Sequence, residues 1–250
     1  MSLPDQLIVT GHLIIPEWPA PTNVKTLQTT RLGGISSAPY ESLNLGDHVG
    51  DAPLSVARNR MLLNTLLPSE PVWLQQVHGT MVANADMASC LPQADACIAR
   101  HRDAVCVVMT ADCLPLLLCD TQGIVVGAVH AGWKGLAAGV IEAAVQAMDV
   151  APHNLMAWLG PAISQPAFEV GAEVRAAFVD ADPQAAAAFI SGQQGKWLAD
   201  LYALTRLRLD ALGVTRIYGG DYCTYAERER FFSYRRDGVT GRMGTFIWLG

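Results

Sequence analysis

The chain has 250 residues, of which 51% are hydrophobic and 16% are charged, and its formal net charge is −6. This composition supports a well-buried core and excludes a disordered chain, and the negative charge provides no electrostatic footprint for nucleic acid or an anionic membrane. The first ten residues, MSLPDQLIVT, lack the basic segment and apolar core of a secretory signal, so we expect a cytoplasmic protein. The length fits one domain over residues 1–250.

Hydrophobic periodicity and turn residues predict both strands and helices. Strands predominate early and mix with helices later, so the predicted class is α+β, with mixed β-sheets flanked by helices. In chain order we predict short strands in 7–15, a strand in 24–30, a helix in 54–67, strands in 72–77, 81–85, 95–99 and 104–109, a hairpin, a helix in 136–148, a strand in 155–159, helices in 168–179, 183–190 and 197–212, a short strand at Ile217 and a last strand in 243–249.

The hairpin lies in residues 110–135, TADCLPLLLCDTQGIVVGAVHAGWKG, where two apolar runs flank the polar break DTQG. If Cys119 faces Ile124 across the turn, then Cys113 and His130 are direct cross-strand partners. Their Cβ atoms would lie about 4.5–5.5 Å apart, close enough to share a metal ion or a proton. A bulge at the proline in the first run would break this register.

Three possible metal ligands, His78, Cys113 and His130, stand at predicted strand ends beside glycine or alanine. Three ligands of N and S type with an open fourth position describe a catalytic zinc site. A buried cysteine beside a histidine is also common in an ordinary core. The residues alone leave both interpretations open.

Other side chains are candidates for proton transfer or substrate binding. Asp112 precedes the thiol of Cys113 and could orient an imidazole, act as a general base, or be an ordinary turn carboxylate. The Gly-rich loops around residues 30–51 could bind a substrate or phosphate, or could be surface loops. The candidate substrate-binding residues are Arg31, Asn44, Arg235 and Arg236. Arginine can hold phosphate or carboxylate in a bidentate manner, although exposed arginines are often simply solvated.

Several short motifs occur in order along the chain. They are TRLGGIS (30–36), SLNLGDHVGD (42–51), QVHG (76–79), TADCLP (110–115), HAGWKG (130–135), GPAI (160–163), FEVG (168–171), CT (223–224) and FFSYRRDGVTGR (231–242). Together they resemble the YfiH family, also called the laccase-domain or multicopper polyphenol oxidase family, over about residues 24–249. One departure is Lys134, where the family usually has Arg, and the ammonium group of Lys lacks the planar fork that allows bidentate binding.

The resemblance implies a fold of the YfiH/cytotoxic-necrotizing-factor type and a metal, zinc or possibly copper, on His78, Cys113 and His130. It also implies purine nucleoside phosphorylase activity on adenosine, inosine and 5′-methylthioadenosine, together with adenosine deaminase activity. We assign catalytic roles to Asp112, Cys113 and His130. The expected partners are a small-molecule nucleoside and phosphate, with no nucleic acid and no membrane, and we expect a monomer.

Three alternatives use the same residues differently. Cys113 could be a nucleophile activated by His130, as in a thiol hydrolase. The two histidines and one cysteine could hold copper in a polyphenol oxidase, although the dispersed histidines provide no further copper motifs. A structural metal in a non-enzymatic peptidoglycan-editing factor is the last alternative.

Overall fold

The architecture, seen in a computed structural model, is described for residues 11–87 and 91–250. The strands are β1 (Leu13–Ile14), β2 (Val24–Thr29), β3 (Val82–Asn84), β4 (Ala96–Ala99), β5 (Cys106–Thr110), β6 (Leu114–Asp120), β7 (Val126–Ala131), β8 (Leu155–Leu159), β9 (Glu169–Val170), β10 (Phe189–Ser191), β11 (Trp197–Ala199), β12 (Arg216–Gly219) and β13 (Met243–Leu249). The helices are α1 (Pro53–Asn64), α2 (Trp133–Ala138), α3 (Val140–Ala147), α4 (Ala172–Val179), α5 (Leu201–Leu212) and α6 (Tyr234–Asp237), with 3-10 helices at Pro152–Asn154, Gln165–Ala167 and Pro183–Ala188.

Three sheets contain these strands. The largest has the order β12-β8-β6-β7-β4-β3, the second β1-β2-β13-β5, and the smallest β10-β11-β9. In the largest sheet the two outer pairs are parallel and the central pairs are antiparallel. The predicted class, α+β with mixed sheets flanked by helices, is confirmed.

Strand β6 shows why the core has layers. Its residues are all buried, and successive side chains point to opposite faces of the sheet. Leu116 and Leu118 pack in the core under helices α2 to α5, whereas Leu117 and Cys119 pack against the second sheet. Helix α1 covers the far face of the second sheet. A strand buried on both faces reads as an unbroken apolar run, which explains the sequence LPLLLC.

Several predicted elements differ from the structure at their ends. The predicted strand in 72–77 forms only isolated bridges at Val72 and Gln75. The predicted helix in 136–148 is two helices, because Gly139 adopts a φ of 98° that ends one helix before the next begins. In the predicted strands in 7–15, residues before 11 lie outside the described residues, and β1 covers only Leu13–Ile14 of the rest.

Short strands also replace parts of the later predicted helices. The segment 168–179 begins with β9, and 183–190 is a 3-10 helix followed by β10. The segment 197–212 begins with β11, and α5 starts only after Asp200, whose carboxylate accepts the backbone N–H of Ala203. In these segments, strand pairing in the smallest sheet determines the structure, although the spacing of the apolar residues predicts a helix.

The register of the central hairpin is two residues away from the predicted one. Cys119 pairs with Val126, and Pro115 pairs with His130 without interrupting the ladder. The carboxylate of Asp120 accepts backbone N–H groups of the turn, including that of Ile124, which is 60% exposed and belongs to the turn. A shift by an even number of residues leaves each side chain on its original face.

Among the described residues, no helix combines the length and apolar composition needed to cross a bilayer.

Candidate metal centre and the cavities beside it

Three side chains from separate elements meet at the open end of the β6–β7 hairpin. His78 lies in the loop before β3, Cys113 immediately precedes β6, and His130 is in β7. One ligand atom from each lies within 4.8 Å of the others. The Sγ of Cys113 is 3.8 Å from Nε2 of His78, and the two imidazole centroids are 4.8 Å apart. The diagonal relation of Cys113 to His130, rather than direct pairing, produces this convergence.

The spacing of these atoms fits a bound metal ion. Tetrahedral zinc, with bonds of about 2.0–2.3 Å, places its ligand atoms about 3.3–3.6 Å apart, and a small closure of the observed group would satisfy this. A Cβ atom on Gly132 would lie 2.8 Å from Cδ2 of His78 and 2.9 Å from Sγ of Cys113. The backbone at Gly132 therefore needs to lack a side chain for the ligands to come together. The group could hold a metal ion.

Asp95, a residue not singled out in the sequence, organises two of the ligands. Its buried carboxylate accepts the backbone N–H groups of Val77, His78 and Gly79 at 2.6–3.1 Å. It also lies 2.8 Å from Nδ1 of His130. Since a carboxylate can only accept, Nδ1 carries the proton and Nε2 is the nitrogen available to a metal. His78 has a φ of 60°, consistent with a tight turn of N–H groups around the carboxylate.

The same contacts shift the pKa values of the site. Burial alone would raise the pKa of Cys113, but the charge of His130 and hydrogen bonds to the two histidines lower it to about 6. Burial would lower the pKa of His130, but the charge of Cys113 and the Asp95 contact raise it to about 9. Burial would also raise the pKa of Asp95, yet the bonds from His130 and Gly79 leave it lowered. Without a metal, the site favours a thiolate beside an imidazolium.

Two cavities adjoin His78, Cys113 and His130, which we call the triad. The cavities share a wall formed by His78, Ala111, Cys113 and Tyr234. The first cavity has a volume of about 330 Å³. Its other lining residues are His48, Gln76, Met109, Thr110, His130 and Arg242.

The second cavity has a volume of about 300 Å³ and a more apolar wall. Its own lining residues are Asp112, Trp133, Lys134, Ile163, Phe168 and Arg235. The side chains of Lys134 and Arg235 are largely exposed to solvent.

Asp112 lies in the wall of this second cavity. Its Oδ1 accepts the hydroxyl of Thr224 at 2.6 Å, and its Oδ2 accepts the backbone N–H of Arg235 at 2.6 Å. Its φ of 86° turns the chain sharply just before Cys113. The guanidinium of Arg235 donates to the carbonyl of Glu169 at 2.7 Å. These contacts fix the orientation of the carboxylate beside the cavity.

Arg31 and Arg236 lie outside both cavity walls. Arg31 donates to the carbonyls of Glu41 and Arg228. Arg236 pairs with Asp237 at 2.8 Å and donates to several backbone carbonyls. The guanidinium N–H groups of both arginines bind backbone carbonyls of neighbouring loops. Of the three arginines predicted to bind substrate, only Arg235 faces one of the two cavities.

Asn44 is fully buried, and its amide is used within the protein. Its Oδ1 accepts the backbone N–H groups of Gly46 and Arg242 at 2.9 Å, and its Nδ2 donates to Gly46 and Asp51. Asn44 therefore positions Arg242, which does line a cavity, instead of facing a cavity itself. Arg242 is the last residue of the motif at 231–242, but the sequence does not mark it as a site residue. Only the fold brings it close to His78, Cys113 and His130.

Comparisons with known proteins identify the family. A sequence model of the family described as "Multi-copper polyphenol oxidoreductase laccase" matches residues 25–250. The chain belongs to this family. A Shigella flexneri protein named "Purine nucleoside phosphorylase YfiH" is 55% identical over 96% of this chain and 99% of its own length. The Escherichia coli protein of the same name is 54% identical over 96% of this chain and 99% of its own length.

A solved structure supports the same relationship. The crystal structure of a Neisseria meningitidis protein has a TM-score of 0.92 and 53% sequence identity, covering 95% of this chain and 99% of that one. The resemblance to the YfiH family inferred from the motifs, and the fold it implied, are confirmed.

Proposed function

We propose that this protein is a zinc-dependent purine nucleoside phosphorylase. The observation that carries the proposal is the convergence of His78, Cys113 and His130 at the wall shared by two cavities. Relatives that match nearly the whole chain are named purine nucleoside phosphorylases. A triad between two cavities suits a reaction with two substrates, one entering from each side.

Zinc is the proposed metal, with copper as the alternative. Two imidazole nitrogens and one thiolate suit either ion, and the three residues that would hold it line the first cavity. When bound, zinc would supply a Lewis acid that polarises a substrate oxygen or activates water. The chain's contribution is to hold the thiolate of Cys113 and the Nε2 of His130 in place, through the contact of His130 with Asp95.

The proposed substrates are adenosine, inosine and 5′-methylthioadenosine, with the purine in the second cavity. Trp133, Phe168 and Ile163 supply apolar and aromatic surface against which a planar base can pack. Arg235 remains a proposed substrate-binding residue because it lines this cavity. Lys134 at the cavity mouth provides a solvated positive charge.

Asp112 is the proposed acid/base residue, including for deamination of adenosine. The hydrogen bonds from Thr224 and from the backbone of Arg235 hold its carboxylate in the cavity wall. An oriented carboxylate can take a proton from water and pass it to the leaving group. Asp112 lines the second cavity and not the first, which supports a role beside the proposed position of the purine.

The direct test is metal analysis of the purified protein, paired with a nucleoside-plus-phosphate assay with and without chelator. We expect about one zinc per chain, loss of nucleoside cleavage on chelation, and recovery on adding zinc. Cys113→Ala should lose both metal and activity. A Cys113→Ala protein with full metal content and full activity would refute the proposal.

A second candidate, a Cys–His thiol hydrolase, is favoured by the pKa values. The lowered pKa of Cys113, about 6, would make a nucleophilic thiolate available near neutral pH. Chelation separates the candidates, since a hydrolase of this type keeps its activity without metal and loses it on alkylation. The zinc enzyme loses activity on chelation.

Copper oxidase chemistry has weaker support, although the family description names it. Among the described residues, the triad is the one cluster of His, Cys, Asp and Glu arranged for a metal. A trinuclear copper centre would need further histidines. The peptidoglycan-editing role stays a prediction, with no contact in the site that favours it.

A further inference from the structure

Arg242 is a half-buried cation that forms no ion pair with a carboxylate among the described residues, although the charges of Cys113 and Asp112 partly offset the lowering of its pKa by burial. Its Nη1 donates to the carbonyls of Thr240 and Gly241 at 3.0–3.1 Å. No described carboxylate forms an ion pair with it, and its Nε and Nη2 have no described acceptor. Partial burial of an arginine without a counter-ion costs free energy, and a bound anion offsets this cost. Arg242 lines the first cavity, so the open side of its guanidinium is where such an anion would bind.

The loop before α1 fixes the backbone and the aliphatic stem of Arg242, and the bonds from Nη1 to Thr240 and Gly241 orient its guanidinium. Asn44 accepts the backbone N–H of Arg242 at 2.9 Å. A Cβ atom on Gly46 would lie 2.8 Å from Cγ of Arg242, so the loop backbone packs directly against the arginine stem. A clamped guanidinium loses little freedom when it binds a ligand, which favours recognition of a planar or tetrahedral oxyanion.

Two further groups of the same cavity suit an anion. Thr110 is 1% exposed, and its hydroxyl has no hydrogen-bond partner within the described part of the chain. The side chain of His48 is 56% exposed, its Nδ1 lies 3.4 Å from Oδ1 of Asp47, and its ring borders the cavity. Neither Asp nor Glu occurs among the described lining residues of this cavity, whereas Asp112 lines the second cavity. The second cavity also carries the cations Lys134 and Arg235, but the first is the one of the two whose described lining has a cation and no carboxylate.

We propose that Arg242, with Thr110 and His48, forms the subsite for inorganic phosphate, and that the nucleoside occupies the second cavity. This rests on the proposed phosphorylase function. A phosphate oxygen forms a bond to the anomeric carbon while the bond from that carbon to the purine nitrogen breaks. The bonding pair leaves with the purine, which takes up a proton that Asp112 relays from solvent, and the other product is the sugar 1-phosphate, ribose 1-phosphate for adenosine and inosine. The anomeric carbon would lie at the shared wall near Tyr234 and the triad.

Binding of phosphate can be tested without turnover, by thermal melting in the absence of nucleoside. Inorganic phosphate at ten times its Kd should raise the Tm of the wild-type protein by about 2–5 °C. We expect no shift in Arg242→Gln. Arg58→Gln is the matched control, since Arg58 is an exposed arginine of α1, and it should keep the wild-type shift.

His48→Glu tests the subsite without removing the arginine. A carboxylate at this exposed position would pair with Arg242 and compete with phosphate, so the Tm shift should be lost although the fold remains intact. Arg242→Lys keeps a charge but not the planar fork, and should show a reduced shift. A cooperative melt of each variant without phosphate confirms folding. If both Arg242→Gln and His48→Glu keep the full shift, the proposal is overturned.

Kinetics distinguish failure of the subsite from failure of the proposed function. Arg242→Gln should raise the KM for phosphate more than about tenfold and change the KM for nucleoside less than about twofold, because the lost interaction is with one substrate. Phosphate stabilisation without nucleoside cleavage would reject the phosphorylase and keep the anion subsite. If Arg242→Gln cleaves nucleoside with an unchanged KM for phosphate, the phosphate subsite is rejected. Stabilisation by adenosine 5′-monophosphate but not by inorganic phosphate would also overturn it.

Discussion

The two ends of the β6–β7 hairpin carry similar residues in different environments. At the closed end, Cys119 precedes Asp120; at the open end, Cys113 follows Asp112. Burial, with a smaller contribution from Asp120, raises the pKa of Cys119 to about 12. Cys113 is half-buried at the cavity wall, and although burial raises its pKa as well, the nearby histidines lower it to about 6. Burial by itself makes a thiol inert, and a neighbouring imidazole reverses that effect.

Two buried carboxylates, Asp120 at the closed end of the hairpin and Asp95 beside His130 at the open end, also differ in their surroundings. Asp120 accepts three backbone N–H groups of its own turn, so its role is to stabilise the hairpin. Asp95 also accepts three backbone N–H groups, but it additionally contacts His130. One extra contact to an imidazole changes a structural carboxylate into one that orients a metal ligand.

The largest expected effect separates the two thiols. Cys113→Ala should lower metal affinity by more than about two orders of magnitude, because it removes one of three ligands. Cys119→Ala should keep the metal and cost about 1 kcal/mol of stability through a small cavity. Metal titration and chemical denaturation measure the two quantities. Equal metal loss in both variants would contradict a site at the open end.

A second comparison concerns the two carboxylates. Asp95→Asn should weaken metal binding by about 10–100-fold, because the amide no longer fixes the Nδ1 proton of His130. Asp120→Asn should leave metal affinity unchanged and cost about 1–3 kcal/mol, because turn N–H groups lose an ionised acceptor. Competition with a chelator of known affinity checks the first, and urea unfolding the second. An Asp95→Asn protein that binds metal normally would remove Asp95 from the site.

The pH dependence of thiol reactivity in metal-free protein tests the shifted pKa values. Alkylation of Cys113 by iodoacetamide should rise through a midpoint near pH 6, while Cys119 should not react. Mapping by mass spectrometry assigns the sites. His130→Gln removes the imidazolium and should move the midpoint upward. A midpoint near the ordinary value in both proteins would show that no thiolate–imidazolium pair forms.

The same shifts predict how the stability of metal-free protein depends on pH. The folded pKa of Cys113 is depressed from 9.0 to about 6, so its contribution is full above pH 9 and is lost as the pH falls through about 6. The folded pKa of His130 is raised from 6.5 to about 9, so its contribution is full below pH 6.5 and is lost as the pH rises through about 9. Between about pH 6.5 and 9 the two contributions change in opposite directions and largely cancel, so thermal melts of the wild-type protein should vary little over this range. Cys113→Ala removes one of the two contributions, and because the contact with Asp95 still raises the pKa of His130, its stability should fall as the pH rises through this range.

The smallest expected effect tests the hairpin register. Ile124 is an exposed turn residue in the observed register, so Ile124→Ser should change stability by less than about 0.5 kcal/mol. Val125 is fully buried, and Val125→Ser should cost more than about 2 kcal/mol. Urea unfolding compares the two. A large loss in Ile124→Ser would favour the register in which Ile124 faces Cys119.

Much of the fold could be predicted because burial leaves a strong sequence pattern. The strands β8 and β13 match their predicted bounds, and β6 is an apolar run because both of its faces are covered. The predicted register was wrong because the turn was taken to end at Gly123, although Ile124 also belongs to it. An exposed isoleucine has no local signal, since its hydrogen bonding to Asp120 depends on the folded turn.

The sequence by itself determined the chemistry available to this protein: a thiol and two imidazoles in His78, Cys113 and His130, and the family to which the chain belongs. The tertiary structure alone decided how that chemistry is arranged. It brought Asp95 beside His130, directed Arg31 and Arg236 to backbone carbonyls, and brought Arg242 to the wall of a cavity. The physical reason is that a ligand's identity is local, whereas its orientation, its pKa and its free donors depend on residues distant in the chain.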